Sequence, residues 1–265
     1  MSSEPHLLTE RHDHVLVVTM NRPEARNALS SEMLARMYDA WVELDTDPGL
    51  RVGILTGAGG TFCSGMDLKA FADGHQETEW TKRFAEDDDL HWKALLRHFR
   101  PSKPLIAAVE GYALAGGTEI LQGTEIRVAG ESAVFGVTEV ARGLFPLGGS
   151  TVRLRRQIPF TLAAEMLLTG RRVSAAEAKA IGLIGHVVPD GTAVDKAMEI
   201  ADVIAGNAPL SVQAVLRSLR EGAEMNEADA LANELTHGWP IFATKDAKEG
   251  ATAFKEKRAP VYRGE

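Results

Sequence analysis

The hydrophobic pattern opens with two short runs, Leu7 to Glu10 and Val15 to Met20, joined around His12-Asp13-His14. This spacing predicts a β-hairpin that ends at Asn21-Arg22-Pro23. A serine, Ser30 or Ser31, then caps a segment whose apolar residues Met33, Leu34, Met37, Trp41 and Leu44 recur at the helical period. Asp47-Pro48-Gly49 stops it. Val52 to Gly57 is continuously apolar and strand-like in length, and the small-residue run Ala58 to Lys69 turns it into a helix. Residues 72 to 102 are polar and acidic, with Trp80, Phe84, Leu90, Trp92, Leu95, Leu96 and Phe99 at roughly helical intervals. They predict one or two amphipathic helices.

Further strands are predicted at Pro104 to Val109, Glu125 to Ala129, Ala133 to Phe135 and Ile184 to Val188. Helix starts are predicted after Ala115, at Val137-Thr138-Glu139 and after the Gly-rich turn Gly143 to Ser150. Two more helices cover about 160 to 168 and 175 to 181, the second capped by Ser174. From Ala193 the pattern is helical throughout, with breaks expected near Gly206 to Pro209, Gly222 and Trp239-Pro240. Strands alternating with helices, then helices alone, give an α/β class with a helical C-terminal subdomain. The Gly-rich turns are too irregularly spaced for a solenoid of fixed period.

Composition narrows the function classes. With 265 residues, 45% hydrophobic and 25% charged, the chain is long enough for a large core. A net charge of −8 excludes a general basic surface for nucleic acid, so an anionic ligand needs local Lys or Arg. One cysteine, Cys63, rules out an internal disulfide framework or a Cys-based zinc cluster, and the eight histidines lack ligand spacing, so no metal site is expected. The N-terminus carries no basic segment followed by an apolar one, and no apolar run approaches a membrane span. A cytoplasmic protein is expected.

The chemistry concentrates between Lys103 and Glu139. A strand, a Gly-rich turn and a helix start bring unpartnered N–H groups and the positive end of the helix dipole to one point, which suits an oxygen that gains negative charge. Glu119 follows Gly116 at i, i+3, so an acid/base group stands beside that point. The earlier turn offers a second donor, the N–H of Met66 after Gly65, and Glu139 offers a second carboxylate. The same residues also have plain structural readings. Gly65 and Gly116-Gly117 suit tight helix–strand packing, and Glu119 and Glu139 suit the dipoles of first helical turns. Cys63 reads as a small buried residue, the acids at 86 to 89 as a solvated face, and Arg153, Arg155 and Arg156 as helix-surface or interface residues.

Thr61 to Lys69, Lys103-Pro104 through Gly111 to Glu119, and Phe135 to Glu139 closely resemble the crotonase (enoyl-CoA hydratase/isomerase) superfamily. Asn21-Arg22-Pro23 with Asn27-Ala28-Leu29, Leu168-Thr169-Gly170 with Ala178 and Gly182-Leu183, and Phe254 to Arg258 extend the likeness over nearly the whole chain. The resemblance implies a spiral of ββα units over residues 1–205 and a helical trimerisation subdomain over 206–265, giving a homotrimer or homohexamer. It implies an acyl-CoA substrate, CoA being part of that substrate with no other cofactor. It implies hydration of a trans-2-enoyl-CoA to a 3-hydroxyacyl-CoA, in fatty acid or steroid side-chain β-oxidation.

Residue by residue, Met66 and Gly116 match the two oxyanion-hole N–H positions, Glu119 the glutamate assigned to the attacking water, and Glu139 the one assigned to protonation at the α-carbon. Ser64, Asp67, Leu68 and Lys69 fall in the segment that borders CoA. Arg26 lies near a CoA-contacting loop, and Lys257 resembles a lysine that reaches a neighbouring subunit's CoA. Isomerases of the family commonly keep only the later carboxylate, so two favour hydration. One departure stands out: Leu147 follows Pro146 where many hydratases have a glycine whose N–H helps hold the water. This form of the third turn resembles actinobacterial members, some acting on steroid side-chain CoA esters. The alternatives are an isomerase or another crotonase reaction, and, outside enzymes, an acyl-CoA-binding oligomeric protein in which Leu147 blocks water.

Overall fold

The computed structural model describes residues 4–73 and 78–265. The first residues of the N-terminal segment, 1–3, and residues 74–77, within the stretch predicted to be helical, lie outside it. The hairpin forms as predicted: β1 (Leu7–His12) pairs antiparallel with β2 (Val15–Met20), Leu7 opposite Met20, around Asp13 at φ 50°. Parallel strands β3 (Val52–Gly57), β4 (Leu105–Val109), β6 (Ile126–Gly130) and β9 (His186–Val188) extend the sheet in the order β1-β2-β3-β4-β6-β9.

The apolar runs of β2 to β4 are continuous because both faces of the sheet are covered. Alternate residues go to opposite sides. Leu16, Val18, Met20 and Leu55 join Met33, Met37, Trp41 and Leu44 of α1 (Ser31–Thr46), whose N-cap Ser30 accepts from Met33 N–H. Val15, Val17, Val52, Ile54, Ile106 and Ala108 face α9 (Ala193–Ala205), which presents Ala193, Ala197, Ala201 and Ala205. This i, i+4 stripe of small side chains lets the helix lie close to the strands.

The polar stretch contains α2 (Leu68–Asp73), α3 (Glu79–Glu86) and α4 (Leu90–Ala94), and Trp41 Nε1 donates to Ala94 O at 2.8 Å to tie α4 to α1. A second sheet, β5 (Tyr112–Leu114), β7 (Val134–Gly136) and β8 (Val173–Ser174), adds to the predicted strand near Ala133–Phe135 two strands that the pattern does not predict, β5 within the Gly-rich turn and β8 just before α8. Strands of two or three residues are too short to show a period of two, so the pattern could not reveal β5 and β8.

The remaining elements are α5 (Gly116–Leu121), α6 (Ser150–Gln157), α7 (Phe160–Thr169), α8 (Ala175–Ala180), α10 (Pro209–Gly222), α11 (Glu227–Ile241) and α12 (Lys245–Glu256). Glu139 opens a 3-10 turn, Glu139–Arg142, that ends on Gly143 in the left-handed region. The break expected near Trp239-Pro240 falls at Ile241: Pro240 sits in the last turn of α11, where its missing N–H forgoes one i→i−4 bond just before the helix ends. Glu125 Oε1 accepts from Arg100 and Arg220, both at 2.7 Å, fastening α10 to the sheet.

Candidate active site

Two isolated bridges assemble the first half of the site. Leu29 pairs parallel with Met66, and Cys63 pairs parallel with Ala113. Leu29 N–H donates to Gly65 O at 2.8 Å and Asp67 N–H to Leu29 O at 3.3 Å. Those bonds flank Met66, whose own N–H is turned away from Leu29 and donates to no group among the described residues. The N–H of Gly116, first residue of α5, is likewise unused. The two amides share one hollow: a Cβ on Gly65 would lie 3.3 Å from Gly116 N, and one on Gly116 would lie 4.0 Å from Met66 N.

Close backbone approach explains the small residues. Gly65 has φ 95°, and a Cβ there would stand 2.8 Å from that of Ala115. Ala115, the N-cap of α5, is held at φ 50° and ψ −123°, a conformation costly for a side-chain-bearing residue. It is pinned there by its N–H to Gly136 O at 2.8 Å and by Glu119 N–H to its own carbonyl at 2.9 Å. Packing and function therefore coincide at these glycines.

The second half is the carboxyl pair, both members buried, Glu119 at 5% and Glu139 at 9% exposure. Glu119 Oε1 accepts from Ser150 N–H at 3.2 Å, and Gly148 N–H also bears on this carboxylate. Glu139 Oε2 has no hydrogen-bond partner among the described residues. Burial, then the neighbouring charge of Glu119, pushes Glu139 up to about 7; burial also raises Glu119, against the amide bonds that favour its ionised form. The two carboxyls lie within hydrogen-bonding reach of each other. The shifts make Glu139 the partner that holds a proton more readily, and the backbone amides at Glu119 favour its ionised form.

The other predicted residues are placed unevenly. Ser64 N–H donates to Arg26 O at 3.0 Å, which brings these two loops together beside Met66. Asp67 is engaged within the chain: Arg22 Nη1 lies 3.0 Å from its Oδ2, and Ala70 N–H donates to its Oδ1 at 3.1 Å. Partial burial acts upward on this carboxyl, but those bonds hold it below its usual range. Leu68 and Lys69 are exposed at the start of α2. Lys257 caps α12 at its C-terminal end, and no hydrogen bond or ion pair of the described residues links it to the site.

At the third turn Leu147 is 54% exposed and its carbonyl accepts from Arg97 Nε at 3.0 Å. The residue that packs against Glu119 is the next one, Gly148, where a Cβ would lie 2.7 Å from Glu119 Oε2. Sequence reasoning placed Gly148 and Ser150 only in a Gly-rich turn; the glycine doublet before a helix start was the available signal. Cys63 is fully buried and its thiol is pushed up to about 12 by burial, as expected of a packing residue. Among the described residues no group of three or more His, Cys, Asp or Glu is placed to hold a metal, and no helix is long and apolar enough to cross a membrane.

Residues 10–265 match the family model described as enoyl-CoA hydratase/isomerase. The chain is 56% identical to the enoyl-CoA hydratase EchA19 of Mycobacterium tuberculosis over 262 residues, covering 99% of this chain and 98% of that protein. It is 42% identical to the (E)-benzylidenesuccinyl-CoA hydratase of Thauera aromatica, covering 96% and 98%. The crystal structure of the enoyl-CoA hydratase EchA1 from Mycobacterium marinum superposes with a TM-score of 0.90 at 44% identity, covering 99% of this chain and all of that one. The α/β fold described above is thus the crotonase fold, and the chain belongs to the enoyl-CoA hydratase/isomerase family.

Proposed function

We propose that this protein is an enoyl-CoA hydratase, adding water to a trans-2-enoyl-CoA to give a 3-hydroxyacyl-CoA. The observation that carries the reading is a pair of buried carboxyls, Glu119 and Glu139, with Glu119 one helical turn from Gly116, whose N–H, like that of Met66, has no partner among the described residues. Glu119 is the ionised member and takes a proton from water as the oxygen bonds to C3. The electron pair of the C2–C3 double bond moves toward the thioester, whose oxygen becomes enolate-like against the Met66 and Gly116 N–H groups. Each such donor is worth roughly 2.7–4 kcal/mol in the transition state. Glu139 then gives its proton to C2. The proton gained by Glu119 returns to Glu139 across their shared contact, restoring the pair.

CoA binds as part of the substrate, along the surface formed by Arg26, Ser64, Leu68 and Lys69, with Asp67 shaping that loop through Arg22. Outward apolar residues Leu219, Phe242 and Phe254 (87% exposed), on or next to α10, α11 and α12, support association through residues 206–265 into a homotrimer or homohexamer. Lys257 then acts on a neighbour's CoA.

Purified protein should consume enoyl absorbance with crotonyl-CoA or with longer or steroidal enoyl-CoAs, and the product should gain the mass of one water. An isomerised product of unchanged mass, or tight acyl-CoA binding without turnover, sinks the proposal. Sedimentation gives the oligomeric state.

A further inference from the structure

We propose that Arg97 is a positioning residue for Glu119, acting through the single peptide unit between Leu147 and Gly148. The inference rests on the reading of Glu119 as the base that activates water. Arg97 Nε donates to Leu147 O at 3.0 Å. The N–H of that same planar unit is Gly148 N–H, which bears on the Glu119 carboxylate. Carbonyl and N–H of a trans peptide point in opposite directions, so holding one end fixes where the other aims. Donation to the carbonyl also polarises the unit and strengthens its N–H as a donor. Gly148 lies close against its target: a Cβ there would stand 2.7 Å from Glu119 Oε2 and 2.9 Å from Cδ.

Arg97 is itself held from three sides. Its N–H donates to Trp92 O at 2.9 Å, and its guanidinium carbon lies 5.3 Å from the centre of a Trp92 ring. Arg153 Nη2 donates to the carbonyls of Leu96, at 2.6 Å, and Arg97. Leu96 adopts φ 56°, a left-handed conformation unusual for leucine, and it redirects the chain at the residue before Arg97. Arg153 comes from α6, whose first N–H, Ser150, is the other amide on Glu119. The segment at 92–97 and the third turn are therefore braced against each other, and the turn bears on the base that α5 carries. In this chain, where leucine replaces the usual glycine at 147, the brace holds the turn by a carbonyl that any residue at 147 supplies.

The charged groups facing Glu119 are Glu139 from the 3-10 turn and Arg153 from α6, and replacing Arg97 leaves both in place. Arg97 is exposed, so its replacement spares the core. In Arg97→Ala, kcat should fall roughly tenfold through misaimed water activation, with KM within about twofold. The acid limb of the kcat profile should move to higher pH, because Glu119 loses an amide that favours its ionised form. Arg97→Lys, which keeps a cationic donor, should recover most of the rate.

In a Glu119→Gln background Arg97→Ala should cost nothing further. Unchanged kcat, a loss confined to KM, or equal losses in both backgrounds overturns the proposal. Carbon NMR titration of the Glu119–Glu139 pair reads the same coupling without turnover. Its acid midpoint should rise in Arg97→Ala, and an unmoved midpoint overturns the inference even if the wild-type chain hydrates no enoyl-CoA tested.

Discussion

Gly148 stands against Glu119 with no room for a methyl group: a Cβ there would come within 3.0 Å of three side-chain atoms of the glutamate. Glu119 is buried and its other oxygen accepts from Ser150 N–H, so a methyl group at 148 is accommodated only by moving the carboxylate off that amide. Gly148→Ala should therefore displace the carboxylate and lower kcat by about 10²-fold, the scale of a misplacement near 1 Å. An intact thermal midpoint with unchanged kcat would count against Glu119 as the base.

The pH profile should report the pair. Glu119 must be ionised and Glu139 protonated, so the rate should fall on the acid side as Glu119 takes a proton and on the alkaline side as Glu139 loses one near pH 7. Glu139→Gln should lower kcat by about 10²–10⁴-fold and abolish the alkaline limb. Steady-state rates across pH decide it.

Stability should respond to the same group. A carboxyl whose folded-state affinity for protons is raised contributes stability that is complete below its ordinary range and lost as pH rises through the folded value. Between roughly pH 4.5 and 7 the wild-type chain should therefore lose stability relative to Glu139→Gln. Denaturant midpoints of the two proteins that run parallel over this range would remove the burial argument.

Packing at the oxyanion turn gives an opposite pair of outcomes. A Cβ on Gly117 would meet Cys63 O at 2.4 Å, a backbone atom that cannot rotate away. Gly117→Ala should cost about 1–3 kcal/mol of stability. Ala115 already carries a side chain at φ 50°, so Ala115→Gly should raise the thermal midpoint by relieving strain worth roughly 1 kcal/mol or more. Calorimetry on both variants tests the two directions together.

Cys63 should stay inert. Its thiol is fully buried and held far above neutrality, so alkylating reagents should label it only when the chain unfolds. Rapid labelling of the native protein would show that the strand beside the site opens.

Much of this was legible in the chain. The period-two and helical patterns give the hairpin, α1, the central strands and the helical C-terminus, because each buries a long, regular face. Met66, Gly116, Glu119 and Glu139 were legible through flanking small residues and family motifs. What escaped is set by contacts that leave no pattern. The strands β5 and β8 are too short. Gly148 is a glycine because of a glutamate some thirty residues away. Arg97 reaches a carbonyl, and a carbonyl is the same whatever residue carries it. Leu147 looked like an obstacle because the sequence shows its side chain and not its backbone.

The two bridges, Leu29 with Met66 and Cys63 with Ala113, join segments distant in sequence, and neither belongs to a longer ladder. Such contacts close large loops and gain little until the sheets flanking them are in place. Activity should consequently be the last property to return on refolding, after helical signal and bulk fluorescence, and it serves as a gauge of complete assembly.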